Sequence, residues 1–332
     1  MGYFLFHGGS ADHASEDRVR GICQLLPEQP EICTEAPEED WKYGLGTLAP
    51  LSRNRPGFAA RHLKWGDWCV TAGANGVGHL RPGVRAVLWG WEPSAPIKLR
   101  QAGLLRRFHR VVVTDVHSAV LLRQSGVVRN VRLGPDPSFL VQRQLRGLDG
   151  AFRQDTVGLC LSTAVAGFER SEGLLYRSYC RLIRWILQNT PWQIVLIPYC
   201  AKPGCNDSLL HMTLKRQFAQ EERLVCREDG DCRVLRGDLS MCRCCVGTAG
   251  VPAAWSCGVP GLCIGASHRV QGLSGTLFGS RQEGVVPVRE LKDEEDLLLR
   301  FRAFLRREEA MRRWLEVSVP RYRQWAREWK WS

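Results

Sequence analysis

The sequence contains no apolar run of the roughly 20 residues that a membrane-spanning helix needs. Its first ten residues, MGYFLFHGGS, carry no basic segment and reach glycine too early for a secretory signal peptide. We therefore expect a cytoplasmic protein.

A pattern of metal ligands is missing as well. Most of the 14 cysteines lie singly inside apolar runs such as GLCLS and GLCIG. Cys242, Cys244 and Cys245 form a cluster with Cys226 and Cys232 upstream, but no matching second pair stands at zinc-site spacing. We predict buried, reduced thiols, no bound metal and no cofactor.

Acidic residues are fewer than basic residues in this sequence. The chain has 46 Lys and Arg against 34 Asp and Glu, a formal charge of +12, and nearly all the cations are arginine. Such a surface suits phosphate, carboxylate, nucleic acid or anionic lipid, or is simply solvated. Because no nucleic-acid module or aromatic-interleaved basic run is present, we expect no nucleic-acid partner. Contact of the basic C-terminal helices with an anionic membrane surface stays an open alternative.

The length of 332 residues suits two domains of roughly 150 residues each. Short apolar strands alternate with amphipathic helices, which predicts parallel sheets built from βαβ units. The polar stretch 142–156 has no strong period and is the predicted linker. We predict an N-terminal Rossmann-like domain over 1–145 and a C-terminal one over 146–332. The second ends in two Arg-rich helices that we expect to be broken at Pro320.

The fold class that follows is α/β and GT-B-like, with two doubly wound Rossmann-like domains facing a central cleft. In such sheets ligands bind at the carboxyl ends of the strands. Ser162, which follows the strand TVGLCLS, is therefore a predicted substrate-binding residue.

The stretch HGGSADHASEDRVRG places a Gly-rich turn between a strand and a helix N-terminus, where free N–H groups attract anions. The predicted substrate-binding residues here are Gly9, Ser10 and Asp12, and His13 and Glu16 are catalytic candidates. The spacing matches no Walker or dinucleotide motif, so a capped helix start with an incidental His and Glu is an equal alternative.

The stretch CIGASHRVQGLSGTLFG also begins at the end of a strand. Ser267 and Arg269 are predicted to bind substrate, since arginine contacts phosphate or carboxylate in bidentate fashion. His268 is a third catalytic candidate. An ordinary surface loop is the alternative interpretation.

Taken together, several stretches resemble the polysaccharide pyruvyl transferase family. The matching motifs are GGSADHASE, PEEDWKYGL, LWGWEP, PDPSF, NTPWQIVLIPY and SCGVPGLCIGASHRVQGLSGTLFG. The resemblance covers nearly the whole chain. It implies a bacterial enzyme that transfers the pyruvyl group of phosphoenolpyruvate to a sugar of a cell-surface polysaccharide. The implied partners are phosphoenolpyruvate and a sugar or glycan acceptor, and the sequence sets no oligomeric state.

The chain departs from the family at side chains that carry the chemistry. The family places an Arg-x-His motif where this sequence has Gly247 and Ala249. Thr114 stands in place of an arginine, Tyr199 in place of a histidine and Arg269 in place of a lysine.

Two hypotheses follow from these departures. The first is an active transferase whose general acid is His268, His13 or Glu16. The second is a degenerate member that binds a sugar, nucleotide sugar or protein partner without pyruvyl transfer.

Overall fold

The computed structural model describes residues 3–7, 13–34, 37–43, 45, 50–53, 64, 68–72, 84–93, 97–146, 155–162, 173–201, 206–265 and 267–329. The chain divides into two compact units. The N-terminal unit comprises Met1–Val141, Ser267–Leu273 and Tyr322–Ser332, and the C-terminal unit comprises Gln142–Ala266 and Ser274–Arg321.

The N-terminal unit contains a seven-stranded sheet of order β3-β2-β1-β4-β5-β6-β7, and every strand pair in it is parallel. The strands are β1 (Tyr3–His7), β2 (Glu31–Thr34), β3 (Leu51–Arg53), β4 (Trp68–Ala72), β5 (Arg85–Trp89), β6 (Arg110–Val113) and β7 (Val131–Leu133). Its helices are α1 (His13–Leu25), α2 (Pro37–Lys42), α3 (Leu99–Leu105) and α4 (Val116–Gln124), with a 3-10 turn at Pro137–Leu140.

The C-terminal unit contains a six-stranded sheet of order β10-β9-β8-β11-β12-β13, again wholly parallel. The strands are β8 (Thr156–Cys160), β9 (Gln193–Leu196), β10 (Leu224–Cys226), β11 (Cys244–Gly247), β12 (Gly261–Ile264) and β13 (Val285–Val286). Its helices are α5 (Leu174–Asn189), α6 (Asp207–Gln217), α7 (Cys232–Ser240), α8 (Val251–Ser256) and α10 (Glu294–Leu305), with a 3-10 turn at Val288–Glu290.

Two further helices begin in one unit and end in the other: α9 (His268–Phe278) and α11 (Glu308–Glu328). The sequence analysis assigned residues 146–332 to one domain. In the structure, Ser267–Leu273 and Tyr322–Ser332 belong to the N-terminal unit. The main division nevertheless falls between Val141 and Gln142.

Burial explains why the strands form a parallel sheet. Every residue of β8, β9, β11 and β12 is buried, as expected for strands covered on both faces. Four of the helices start at polar caps that accept from backbone N–H groups: Asp115 for α4, Asn206 for α6, Asp231 for α7 and Asp293 for α10. The sequence pattern of alternating apolar strands and capped helices is thus realised in both units.

The C-terminal helices do not break at Pro320, so that prediction is wrong. The break lies at 306–307, and Pro320 lies inside α11. Proline costs one intrahelical hydrogen bond and usually kinks a helix, but buried residues on both sides of it, Leu315, Val319 and Tyr322, hold α11 in place. None of the helices among the described residues is apolar over a length that could cross a membrane.

Candidate functional site

Two acidic residues stand at the carboxyl ends of strands in the N-terminal unit. Glu92 lies three residues after β5, and Asp136 lies three residues after β7. Within the same unit, Ser267, directly before α9, contacts Glu92, and Arg269, in the first turn of α9, contacts Asp136, with His268 between them in the chain. The structure therefore collects these five residues at one edge of the sheet.

Arg269 is held mainly by Asp136. Its Nε and one terminal nitrogen each lie 2.6 Å from Asp136 Oδ2, and Glu92 Oε1 is 3.7 Å from Nε. The Arg269 side chain is 13% exposed and Asp136 is fully buried. The guanidinium predicted to bind a substrate anion is thus already neutralised by protein carboxylates.

The two carboxylates respond to their surroundings in opposite directions. Burial raises the pKa of Glu92 above its usual value, against the opposing effects of Arg269, Arg18 and a hydrogen bond from Ser267. For Asp136, burial acts in the same upward direction, but Arg269 and the hydrogen bonds from Ser138 outweigh it and lower the pKa. Glu92 is also the more accessible of the two, with 24% of its side chain exposed. Its Oε2 accepts from the Ser267 hydroxyl at 3.0 Å.

His268 lies against a second imidazole. The rings of His268 and His117 have centroids 3.8 Å apart and planes inclined by 34°. His268 Nδ1 and Thr114 Oγ1 are buried, and no hydrogen-bond partner is found for either atom among the described residues. Both atoms are polar groups at the edge that also holds Glu92.

The other two catalytic candidates, His13 and Glu16, are fully buried in the first turn of α1. His13 Nδ1 lies 3.1 Å from Glu16 Oε2, and Arg20 Nε donates to Glu16 Oε1 at 2.8 Å. His13 also packs edge-to-face against Tyr43. These groups satisfy one another inside the unit. Gly9, Ser10 and Asp12 lie outside the described residues, so their assignment stays a prediction.

The C-terminal unit presents a different kind of edge. Its strand order reverses between β8 and β11, and in doubly wound sheets this switch point is where ligands bind. Ser162 follows β8 and Thr248 follows β11, and Ser162 N donates to Thr248 Oγ1 at 2.8 Å. Thr248 N and Ala249 N both donate to Cys160 O. The predicted residue Ser162 is thus placed at the switch point.

The loop that lacks the Arg-x-His motif is closed by its own backbone. A Cβ atom at Gly247 would lie 2.4 Å from Cys160 O and 2.8 Å from Ala249 O. Gly250 has φ of +71°, a conformation that favours glycine, directly before α8. A side chain at position 247 would therefore collide with backbone atoms unless the loop shifted.

Two residues of α6 face the same end of the sheet. Asp207 Oδ2 accepts from Tyr199 N at 3.0 Å, and His211 Nε2 donates to Leu161 O at 3.2 Å. Burial lowers the pKa of His211 to about 4, so the ring is neutral at pH 7. No grouping of three or more potential metal ligands occurs in the part of the chain that the structure describes.

The sequence analysis did not single out Glu92, Asp136, Thr248 or His117. A signal for the two acids was present, because each follows an apolar strand by three residues and adjoins a proline, in LWGWEP and GPDPSF. Their pairing with Arg269 needed the return of α9 to the N-terminal unit. That return has no sequence pattern of its own.

Comparison with known proteins adds to this geometry. No family model matches the chain, and no curated protein matches it. A putative UDP-N-acetylglucosamine 2-epimerase from Listeria monocytogenes superposes with a TM-score of 0.68 at 10% identity, covering 99% of this chain and 94% of that one. The Neisseria meningitidis UDP-GlcNAc 2-epimerase bound to UDP-GlcNAc gives 0.61 at 11% identity, covering 96% and 95%. Anabaena HepE in complex with UDP-glucose gives 0.59 at 13% identity, covering 98% and 95%.

These likenesses, with the two parallel sheets, confirm the predicted GT-B-like fold. The predicted function is wrong: the similar structures are UDP-GlcNAc 2-epimerases and a protein holding a UDP-sugar, not pyruvyl transferases. The predicted partner, phosphoenolpyruvate, is therefore wrong as well. The site gives a physical reason, because Arg269, the cation expected to bind phosphoenolpyruvate, is paired with Asp136.

Proposed function

We propose that this chain is a nucleotide-sugar-dependent enzyme that binds a UDP-sugar in its C-terminal unit and transfers the glycosyl group. The GT-B-like fold supports the class of protein. The bound molecules named for the Neisseria and Anabaena structures, UDP-GlcNAc and UDP-glucose, support the class of ligand.

The observation that carries the proposal is the Ser162–Thr248 link across the β8/β11 switch point. The hydrogen bonds between Thr248 and Ser162 fix the orientation of the Thr248 hydroxyl. A hydroxyl fixed in advance contacts a diphosphate oxygen or a sugar hydroxyl without a compensating charge. The loop around Gly247 is fixed by close backbone contacts and by the hydrogen bonds to Cys160 O. Such a preorganised neutral site suits a nucleotide sugar better than a small trianion that needs paired cations.

Calorimetric titration with UDP-GlcNAc, UDP-glucose, UDP and phosphoenolpyruvate tests the binding step. We expect saturable binding of at least one uridine nucleotide and none of phosphoenolpyruvate. Thr248→Val should weaken nucleotide binding by about tenfold or more, because it removes a hydroxyl that would donate a hydrogen bond to a charged diphosphate oxygen. Thr248→Ser should retain binding, and the control Thr213→Val, which removes an exposed hydroxyl of α6 that donates to Leu209 O, should leave it unchanged.

Incubation of the chain with each UDP-sugar and a panel of acceptors tests the chemical step separately. We expect UDP to be released at a rate that depends on the acceptor present. Tight binding of phosphoenolpyruvate in place of uridine nucleotides would overturn the proposed function.

A further inference from the structure

A cavity of about 170 Å³ lies in the C-terminal unit, away from the Ser162–Thr248 link. It is formed by the segment leading into β13, by β13 itself and by the last turns of α10. Its lining includes Leu262, Glu283, Val285, Arg300, Ala303, Phe304 and Arg307. We call it the Arg300–Arg307 cavity.

The floor and the mouth of this cavity differ in chemistry. Leu262, Val285 and Phe304 form an apolar floor, and each is less than a tenth exposed. Arg300 and Arg307 stand at the mouth, with 48% and 68% of their side chains exposed. The small side chain of Ala303, one residue before Phe304 on α10, leaves the space open.

Each arginine at the mouth has a carboxylate partner. Arg300 lies 3.3 Å from Glu290, and Arg307 lies 2.7 Å from Glu283. The Arg300–Glu290 pair is about half exposed on both sides and contributes little to stability, so its exchange for a ligand carboxylate is nearly neutral. Glu283 is only 17% exposed and keeps Arg307. A ligand carboxylate would keep its charge at the solvent-exposed mouth and gain bidentate contacts with a guanidinium group.

Size limits the rest of the ligand. A dry apolar cavity of about 150 Å³ accommodates a benzene ring in another protein. A single ring or a short branched chain therefore fits on the floor formed by Leu262, Val285 and Phe304.

We propose that the Arg300–Arg307 cavity binds a small carboxylate that has a compact apolar body. The cavity does not involve the switch point, so this site is independent of the proposed transferase function. For a ligand of this size we expect a dissociation constant on the order of 1 mM.

Ligand-observed NMR titration with benzoate tests the site on the full chain. Benzoate should bind saturably, and benzyl alcohol, which has the ring without the charge, should bind about tenfold more weakly. Arg300→Gln should weaken benzoate binding by about tenfold, whereas Arg306→Gln, which removes the same charge from an exposed residue outside the cavity, should not.

Filling the cavity is the second arm of the test. Ala303→Leu should abolish benzoate binding, and the matched control Ala310→Leu, at an exposed position of α11, should leave it intact. Circular dichroism and the thermal midpoint establish that each variant is folded. Lack of saturation at about ten times the expected dissociation constant, or benzoate binding that survives a folded Ala303→Leu, would overturn the proposal.

Discussion

The carboxyl ends of the strands carry different kinds of chemical group in the two units. In the N-terminal unit the edge is ionic: Arg269 pairs with Asp136 and Glu92, and Glu16 pairs with Arg20 and His13. In the C-terminal unit the edge at the switch point is made of backbone, glycine and hydroxyl groups around Ser162 and Thr248.

This difference decides which kind of substitution each unit tolerates. A buried ion pair makes each partner dependent on the other, since removing one leaves an uncompensated charge. A backbone-lined turn depends instead on the absence of side chains. The N-terminal edge should therefore be most sensitive to loss of charge, and the C-terminal edge most sensitive to added atoms and to a proton on its buried histidine.

The largest effect is expected for Arg269→Met. It leaves Asp136, which is fully buried, without its cation, and should lower the free energy of unfolding by about 3–5 kcal/mol. Arg289→Met, at an exposed residue, should change it by less than about 0.5 kcal/mol. Urea denaturation at pH 7 measures both.

The double variant Arg269→Met, Asp136→Leu sharpens the result. Removing both charges should restore much of the lost stability, since an apolar pair carries no desolvation cost. If Arg269→Met alone costs no more than Arg289→Met, the N-terminal edge does not depend on its ion pair and the comparison between the units fails.

The next effect concerns pH and the C-terminal unit. The pKa of His211 lies at about 4 in the folded chain and near 6.5 when unfolded. A depressed pKa means that the folded state prefers the neutral ring. The stability that this contributes is therefore fully present above about pH 6.5 and is lost as the pH falls from there through 4.

Replacing His211 with glutamine should remove this dependence. Between pH 7 and pH 4 the wild type should lose about 3 kcal/mol more of its free energy of unfolding than His211→Gln does. Urea denaturation across this range measures the difference, and NMR titration of the His211 ring gives the pKa directly. Titration near pH 6.5, or parallel stability curves, would contradict the assignment.

A third test probes the steric character of the switch point. Gly247→Ala places a methyl group 2.4 Å from Cys160 O, which is backbone and cannot swing aside. We expect it to cost about 1–3 kcal/mol in the free energy of unfolding. Gly265→Ala, just past the end of the neighbouring strand β12, meets nothing within 4 Å and should be close to neutral. Equal effects at the two positions would show that the loop can relax.

Much of the fold could be predicted from the sequence because its signals are local. Apolar runs such as TVGLC and QIVL have the length and composition of fully buried strands, and Asp115, Asn206 and Asp231 mark the helix starts. The short strands β3 and β13 were missed, since two or three residues give no periodicity. The sequence predicts the helix break at Pro320, because proline usually kinks a helix. In the structure, α11 continues through Pro320, with Leu315 and Tyr322 buried on either side.

The site was less predictable because its contacts are long-range. Arg269 was found as a cation at a strand end, but its partner Asp136 lies 133 positions away in the chain. From the sequence, Gly247 is notable only because the resembled family has an arginine there. The structure adds that a Cβ atom at this position would collide with the Cys160 carbonyl oxygen. Family resemblance therefore described the scaffold well and the chemistry poorly.

The smallest effect is expected at a hydrogen bond that supports the ionic edge. Asp136 N donates to the Tyr322 hydroxyl at 2.7 Å, and both residues are buried. Tyr322→Phe leaves that N–H without its acceptor and should cost about 1 kcal/mol in the free energy of unfolding.

In the C-terminal unit, Tyr176→Phe removes a donor to Gln217 Oε1. That oxygen also accepts from Cys180 Sγ and lies on an exposed residue that water can reach. Tyr176→Phe should therefore cost less than about 0.5 kcal/mol. Urea denaturation of the two variants side by side measures the difference, and a larger loss for Tyr176→Phe would mean that the two units do not differ in how their polar groups are supported.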